Sequence, residues 1–355
     1  MQKDKIKCVV WDLDNTLWKG VLLENDHLQI QPGITEIIRE LDRRGILQSI
    51  ASRNNYDTAM ARLDQFGIAG YFLYPQIGWQ PKSASIAAIR EKLNIDIGTF
   101  AFIDDDPVER AEVASIFPGV RCMDAAEYDT ILSVPAFQPD FVTQDSRRRR
   151  IMYLQDQDRK QVEEEFQGMP EDFLASLSMK LNIALATEED LLRAAELTIR
   201  TNQLNTTGIT YDYHELDRFR QSDRHRLYVC ELTDRFGSYG KIGLVLLEEK
   251  EESICIKLFL LSCRVMSRGI GDVMMSFIMK LTKAAGKDLF AEFIHTGKNR
   301  QMYITYKFTG FEECESGDPE ILLKHRLDKI RDYPMFIEVT PPAVSIQSSN
   351  KFSFT

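Results

Sequence analysis

Short apolar runs alternate with amphipathic stretches through the amino-terminal part of the chain, and this rhythm limits the possible folds more than any other feature. Ile6–Trp11, Leu47–Ala51 and Phe100–Ile103 are strand-length apolar runs, and Val120–Met123 fits one more. Between them, Ile34–Arg44, Asn55–Phe66, Lys82–Leu93 and Val108–Ile116 place apolar residues at helical spacing. Strands joined by helices of this length make βαβ crossovers, whose strands run parallel with helices against the sheet. The expectation is an α/β fold: a Rossmann-like domain with a parallel sheet over residues 1–138.

From Val134 to Asp145 the pattern turns irregular, with Pro135 and Pro139, and reads as a boundary. Residues 139–177 read as a helical linker, charged from Arg147 to Phe166, with a further helix opened by Pro170-Glu171-Asp172. A second domain of mixed α/β type is expected over 178–325, with strands at Leu227–Leu232, Lys241–Glu248, Ser253–Cys263 and Leu289–Ile294. Helices are expected at Leu191–Thr201, Asp272–Ala285 and Arg300–Lys307. Residues 326–355 read as a carboxy-terminal tail with one strand after Pro334 and a polar, mobile end.

A length of 355 residues suits two domains, and 44% hydrophobic residues can fill two cores. A net charge of -10 opposes sequence-independent nucleic-acid binding, so no nucleic-acid partner is expected. No apolar run has the length of a membrane span, and the amino terminus shows no signal-peptide pattern, so a cytoplasmic protein without membrane attachment is expected. Arg147–Arg150 is the one basic run; it reads as a solvated helix face, or alternatively as a docking patch for an acidic partner. The six cysteines form no CxxC pair and are expected to be free thiols.

Four pieces of chemistry fall at the ends of the predicted strands or the start of a helix. Asp12 and Asp14 leave the first strand in Asp12-Leu13-Asp14-Asn15-Thr16. Two carboxylates this close raise each other's pKa unless a cation intervenes, and with a cation one can attack phosphorus while the other moves a proton. Ser52, followed by Arg53 and Asn54, ends the next strand with a hydroxyl and exposed backbone donors. Lys82 opens a helix after Gln80-Pro81, where an ammonium offsets nucleophile and phosphate charge. Asp104 and Asp105 end the strand Phe102-Ile103, and carboxylates are ligands for magnesium, whereas Asp106 before Pro107 fits a helix cap.

This order resembles the haloacid-dehalogenase phosphohydrolase superfamily, whose signature is DxDxT, then Ser or Thr, then Lys, then an acidic pair. The resemblance implies Asp12 as nucleophile, Asp14 as acid/base, and Lys82 as partner of nucleophile and phosphate. It places Thr16, Ser52, Arg53 and Asn54 on the substrate side. It implies Mg2+ near Asp12, Asp104 and Asp105, with Asp14 through its backbone carbonyl. Little sequence separates the motifs, so no large cap domain is expected and the site should be open.

In the second domain, Cys263 ends a strand and a turn containing Arg268, Gly269 and Gly271 leads into a helix. Backbone N–H groups at such a helix start can bind phosphate. With Asn299 and Tyr306 further on, the arrangement resembles the acyl-CoA N-acetyltransferase (GNAT) fold, in which the matching tyrosine protonates a leaving thiolate. Met266 stands where that family favours Gln or Arg, which turns the expectation from coenzyme A toward a shorter pantetheine arm. A thiol at Cys263 could accept an acyl group, with Arg264 or Arg268 lowering its pKa, while Cys255 reads as buried and inert.

The two domains in this order, with Arg200-Thr201-Asn202-Gln203-Leu204-Asn205 and Ser262-Cys263-Arg264-Val265, resemble the FkbH-like family. The resemblance implies a bifunctional glyceryl transferase/phosphatase. It would take 1,3-bisphosphoglycerate, a phosphorylated small-molecule acyl donor, load the glyceryl unit on Cys263 as a thioester, pass it to an acyl carrier protein and remove phosphate. Asn202, Gln203 and Asn205 would surround the acyl site, or serve only as loop caps. Relative to longer relatives, no extra amino-terminal domain is expected. A phosphatase fused to an acyl-CoA N-acyltransferase acting on a sugar or amine is the alternative, and a non-catalytic carrier-docking module is a third.

Overall fold

The computed structural model describes residues 5–24, 28–317 and 319–342. The chain divides into two compact units, residues 1–161 and 162–355.

The first unit contains, in chain order, β1 (Cys8–Trp11), a small hairpin of β2 (Trp18–Lys19) and β3 (Gln29–Ile30), α1 (Ile34–Arg43), β4 (Leu47–Ser52), α2 (Tyr56–Gln65), β5 (Gln76–Ile77), α3 (Lys82–Leu93), β6 (Phe100–Asp104), α4 (Pro107–Ile116), β7 (Arg121–Asp124), α5 (Gln144–Arg147) and most of α6 (Arg149–Glu165), whose last residues, from Val162 on, belong to the second unit. The sheet order is β5-β4-β1-β6-β7 with every pairing parallel. Alternation along β1 sends Val9 and Trp11 to the core shared with α1 and α2, and Cys8 and Val10 to the core shared with α3 and α4. The Rossmann-like α/β domain expected from the sequence is therefore present. The chain fills one side of β1 with β4 and β5, then returns to the other side with β6 and β7. A crevice opens outside the carboxyl ends of the strands at such a reversal.

Local sequence explains the helix boundaries. Ile34, Ile37, Ile38 and Leu41 form the buried stripe of α1. The turn that ends α1 requires Gly45, whose φ is +70° and where a Cβ would lie 2.3 Å from Nη1 of Arg149. Asn55 caps α2 through the Thr58 N–H, and Asp106 caps α4 through the Val108 N–H with Pro107 at the first helical position.

The segment 139–177 is not a free connector. Tyr153 and Leu154 pack on the first unit's core, while Phe173 and Leu177 enter the second's, because each part has an apolar stripe to bury. Nor is Arg147–Arg150 a solvated face throughout. Arg149 is buried and donates to the Gly45 carbonyl at 2.7 Å. Arg150 pairs with Asp42 at 2.9 Å and donates to the Gly70 carbonyl at 2.8 Å. These two arginines tie α6 to the turns after α1 and α2, and only Arg147 and Arg148 are exposed.

The second unit contains α7 (Pro170–Ser176), β8 (Met179–Leu185), α8 (Leu191–Arg200), α9 (Tyr213–Gln221), β9 (His225–Asp234), β10 (Gly237–Glu249), β11 (Ser253–Leu261), α10 (Ile270–Ala284), β12 (Asp288–Ile294), α11 (Arg300–Phe308), β13 (Glu312–Ser316), β14 (Glu320–His325) and β15 (Ile337–Thr340). They form a mixed sheet in the order β13-β14-β12-β11-β10-β9-β8-β15. The mixed α/β architecture expected for this domain is present. Strand β15, from the predicted tail, is part of this sheet, parallel to β8. The tail's polar end, residues 343–355, lies outside the described residues.

Strands β11 and β12 are parallel and pair only from Ser253/Asp288 to Ile256/Ala291. Beyond that the segment Leu204–Thr206 runs between them. Leu261 N–H donates to the Leu204 carbonyl at 2.9 Å, Thr206 N–H to the Phe259 carbonyl at 3.0 Å, and Ile294 N–H to the Thr206 carbonyl at 3.0 Å. Among the described residues, no helix is long and apolar enough to cross a membrane.

Candidate active site

Three parallel strands deliver side chains to one point in the first unit. Asp12 follows β1 directly and its N–H donates to the Ile103 carbonyl, which fixes the turn. Ser52 is the last residue of β4 and Asp104 the last of β6. Lys82, the first residue of α3, is 2% exposed. Its ammonium contacts the Asp12 carboxylate, the Asp104 carboxylate at 3.1 Å, the Glu109 carboxylate at 3.0 Å and the Ala51 carbonyl at 2.8 Å.

This concentration of charge sets the electrostatics. Burial holds the Asp12 carboxyl above its usual range, although Lys82 and Ser52 oppose the shift. Asp104 is also raised, by burial and by Asp12, and Asp105 by burial. Burial alone would push Lys82 down, but Asp12, Asp104 and Glu109 outweigh it and hold the amine above its usual value. Lys82 is thus a fixed cation, and the carboxylates remain short of positive charge.

The residues fit a divalent cation. Oxygens of Asp12, Asp104 and Asp105 lie within 4.8 Å of one another. Oδ1 of Asp104 accepts from the Asp106 N–H at 2.8 Å, while buried Oδ2 has no hydrogen-bond donor and only the Lys82 ion pair beside it. A hard, all-oxygen donor set of this kind suits Mg2+. The Asp14 side chain is outside this set.

Asp14 is oriented by three donors. Oδ1 accepts from Trp18 Nε1 at 2.8 Å and from the Leu22 N–H at 2.9 Å, and Oδ2 accepts from Asn54 Nδ2 at 2.9 Å. The hairpin after β1 and the loop after β4 therefore hold this carboxylate together. Thr16 and Asn54 are buried, and the Thr16 hydroxyl and the Asn54 amide oxygen have no partner among the described residues. Arg53 is exposed and pairs through Nε with Glu109 at 3.0 Å. Asp12, Asp14, Ser52, Lys82, Asp104 and Asp105 thus lie in one region at the carboxyl ends of the strands.

The sequence reading overlooked Glu109, whose carboxylate joins Lys82 to Arg53. It lies in the first turn of the helix that starts from the β6 acids, so it faces the strand end. An acid there reads as a response to the helix dipole, which masks its place in the site.

The second unit places its predicted residues differently. Cys263 is half-buried at the end of β11. Arg268 is buried, pairs with Glu163 at 2.9 Å and lies over the Phe173 ring, which does not leave it directed at a phosphate. Asn202 and Gln203 are exposed. Asn205 is fully buried and caps its own loop, its Oδ1 accepting from the N–H groups of Thr207 at 3.1 Å and Gly208 at 2.9 Å. Tyr306 is fully buried with its hydroxyl beside Thr206, without a formed hydrogen bond, and burial pushes it well above the usual tyrosine range. In this arrangement its hydroxyl is closed off from solvent. Asn299 anchors the inserted segment, its Nδ2 lying 3.0 Å from the Asn205 carbonyl, 3.3 Å from that of Thr206 and 2.9 Å from that of Ile294.

Among solved structures, the chain is similar to the amino-terminal part, containing a phosphatase domain complexed with Mg, of a Bacteroides fragilis protein. That alignment has 28% identity and a TM-score of 0.34 and covers 37% of this chain and 40% of that one, so it spans less than half of the solved chain. It is also similar to the ribosomal-protein-S18-alanine N-acetyltransferase of Escherichia coli, at 13% identity and TM-score 0.34 over 43% of this chain and 97% of that one. A spermidine N-acetyltransferase of Vibrio cholerae, solved with CoA and spermine, aligns at 14% identity and TM-score 0.32 over 41% of this chain and 92% of that one. No curated protein matches the chain. Residues 19–115, which lie within the first unit, match the family model of haloacid dehalogenase-like hydrolases, and the first unit is in this stretch similar to hydrolases of that kind.

Proposed function

We propose that the first unit is a Mg2+-dependent phosphatase acting through an aspartyl-phosphate, and that the second unit moves a glyceryl unit from 1,3-bisphosphoglycerate through Cys263 to an acyl carrier protein. The observation that carries the first half is the convergence of Asp12, Lys82, Asp104 and Asp105 at the carboxyl ends of parallel strands. Asp12, Asp104 and Asp105 would hold Mg2+, which would supply positive charge to offset the negative charge of the phosphoryl group. Asp12 attacks phosphorus, and the leaving alkoxide takes a proton from Asp14. Asp14 then removes a proton from the water that attacks the aspartyl-phosphate, which frees phosphate and restores Asp12. Lys82 stays in place through both steps and offsets negative charge on nucleophile and phosphate.

For the second half, the Cys263 thiolate would attack the acyl carbon of the acyl phosphate and release phosphate. A carrier thiol would then displace Cys263 from the thioester. Cys263 supports this better than the other cysteines of its unit: Cys230 and Cys255 are buried with thiols pushed up, Cys255 to about 12, and Cys314 lies on the outer strand β13. In the alternative reading, the second unit transfers an acyl group from coenzyme A to an amine. The pairing of Arg268 with Glu163, and Asp272 in the first turn of α10, weigh against a pyrophosphate at that helix start.

The test is to incubate the protein with Mg2+ and 1,3-bisphosphoglycerate generated in situ and to take intact and peptide masses. A glyceryl or phosphoglyceryl adduct on the Cys263 peptide, lost in Cys263→Ala, supports acyl transfer. Monoester hydrolysis with no adduct leaves the phosphatase half alone and brings acetyl-CoA forward as the next probe.

A further inference from the structure

Arg53 and Glu109 form a pair whose geometry goes beyond phosphoryl transfer. Glu109 is the bridge: Oε2 contacts the Lys82 ammonium at 3.0 Å, and Oε1 contacts Nε of Arg53 at 3.0 Å. The Glu109 side chain is 14% exposed and the Arg53 side chain 51% exposed. A guanidinium held by its Nε edge keeps its two terminal nitrogens as a planar fork. Among the described residues, those nitrogens of Arg53 have no partner. The fork belongs to the residue after Ser52, and Glu109 links it through the Lys82 ammonium to the Asp12 carboxylate.

An isolated exposed ion pair is worth little, because two long side chains must be ordered to make it. Here one partner is already fixed, since Glu109 is anchored on a buried ammonium. Arg53 is therefore preorganised, and a planar fork fits a carboxylate through two parallel hydrogen bonds. The site already sets the carboxylates of Asp12, Asp104, Asp105 and Glu109 against the cations of Lys82 and Arg53. A singly charged group is easier to add to this balance than a second phosphate dianion.

We infer that Arg53, positioned by Glu109, reads a carboxylate on the substrate in addition to its phosphate, so that the site selects phosphorylated carboxylic acids over phosphate monoesters that carry no carboxylate. This rests on the phosphatase reading of the first unit and adds a specificity determinant to it. Glu109 touches no reacting atom and acts through Lys82 and Arg53, so it is a positioning residue.

The experiment compares 3-phosphoglycerate with glycerol 3-phosphate, which differ by a carboxylate against a hydroxymethyl group, using the full chain with Mg2+. The wild type is expected to favour 3-phosphoglycerate in kcat/KM by about tenfold, which corresponds to ~1.4 kcal/mol. Arg53→Gln should bring the ratio to about one, with the change in KM, because one charge-assisted fork is lost. Glu109→Gln should reduce the ratio and also lower kcat on both substrates, since it loosens Lys82 as well as Arg53. A wild-type ratio near one, or a ratio that survives Arg53→Gln, overturns the inference. If neither compound is hydrolysed, the phosphatase reading fails separately, and calorimetry with the same two compounds decides the point. Tighter binding of 3-phosphoglycerate that disappears in Arg53→Gln supports the carboxylate subsite, and equal binding overturns it.

Discussion

Asn54 donates from its side-chain amide to Oδ2 of Asp14 at 2.9 Å, and so links the loop after β4 to the carboxylate assigned to proton transfer. Asn54 is 1% exposed, so the donor end of this bond is buried while Asp14 is partly exposed. Asn54→Ala is expected to lower kcat for a simple phosphate monoester by up to roughly a hundredfold, the scale on which a small misplacement of a reacting group slows a reaction. The affinity for Mg2+ should change little, because the Asp14 side chain lies outside the metal cluster. Steady-state kinetics with a Mg2+ titration checks both.

Asp12→Asn should abolish monoester turnover by removing the nucleophile. Lys82→Met should also reduce it by orders of magnitude, but with a different stability signature. Removing the cation leaves buried carboxylates uncompensated, at a cost of roughly 3–5 kcal/mol when a buried pair loses one partner. Asp12→Asn relieves that crowding and should be far less destabilising. Chemical denaturation of the two variants without metal separates them.

The carboxyls of Asp12, Asp104 and Asp105 are raised in the folded protein. Groups raised on folding favour the native state below the ordinary carboxylate range, and that contribution is lost as pH climbs through their folded values. Metal-free protein should therefore lose this contribution above the ordinary carboxylate range. Mg2+ competes with protons for the same oxygens. Its stabilising effect should be small near pH 5 and larger at pH 7.5, as read by thermal denaturation at both pH values with and without Mg2+. An equal effect at the two pH values would argue against binding at this cluster.

Asn299→Ala should loosen the segment held between β11 and β12. The Asn205 and Ile294 carbonyls would lose a buried donor, a cost of roughly 2–4 kcal/mol. Hydrogen exchange at Thr206, Leu261 and Ile294, whose N–H groups form this seam, should quicken well before exchange at Val229 or Val245 in the middle of the sheet. Uniform quickening would mean that the segment does not open separately.

The cysteines should react in an order set by burial. Cys314 and Cys263 should alkylate first, while Cys8, Cys230 and Cys255, whose thiols are pushed up by burial, should react only on unfolding. Timed labelling with peptide mass analysis gives the order directly.

Much of the first unit was legible because its signals are local. Apolar runs and helical stripes set the elements, and a residue that follows a parallel strand leaves at the carboxyl edge whatever its neighbours are. That is why Asp12, Ser52 and Asp104 could be placed together from their strands, and why Asp106 before Pro107 could be read as a cap. The second unit was less legible. The strand β8, the helix α9 and the pair β13–β14 were not foreseen, since amphipathic edge elements carry weaker patterns than the buried β11. Arg149 and Arg150 read as a solvated run because charge in sequence does not show that a glycine carbonyl or Asp42 lies opposite.

The sequence by itself determined the strand–helix rhythm and the order of the motifs at the strand ends, because periodicity and strand-end position are properties of neighbouring residues. Only the tertiary structure decided that Glu109 joins Lys82 to Arg53, that Arg268 is committed to Glu163, and that Leu204–Thr206 runs between β11 and β12. Those relationships connect residues far apart in the chain through distance, burial and hydrogen bonding, and a linear pattern carries no record of which distant partner a side chain will meet.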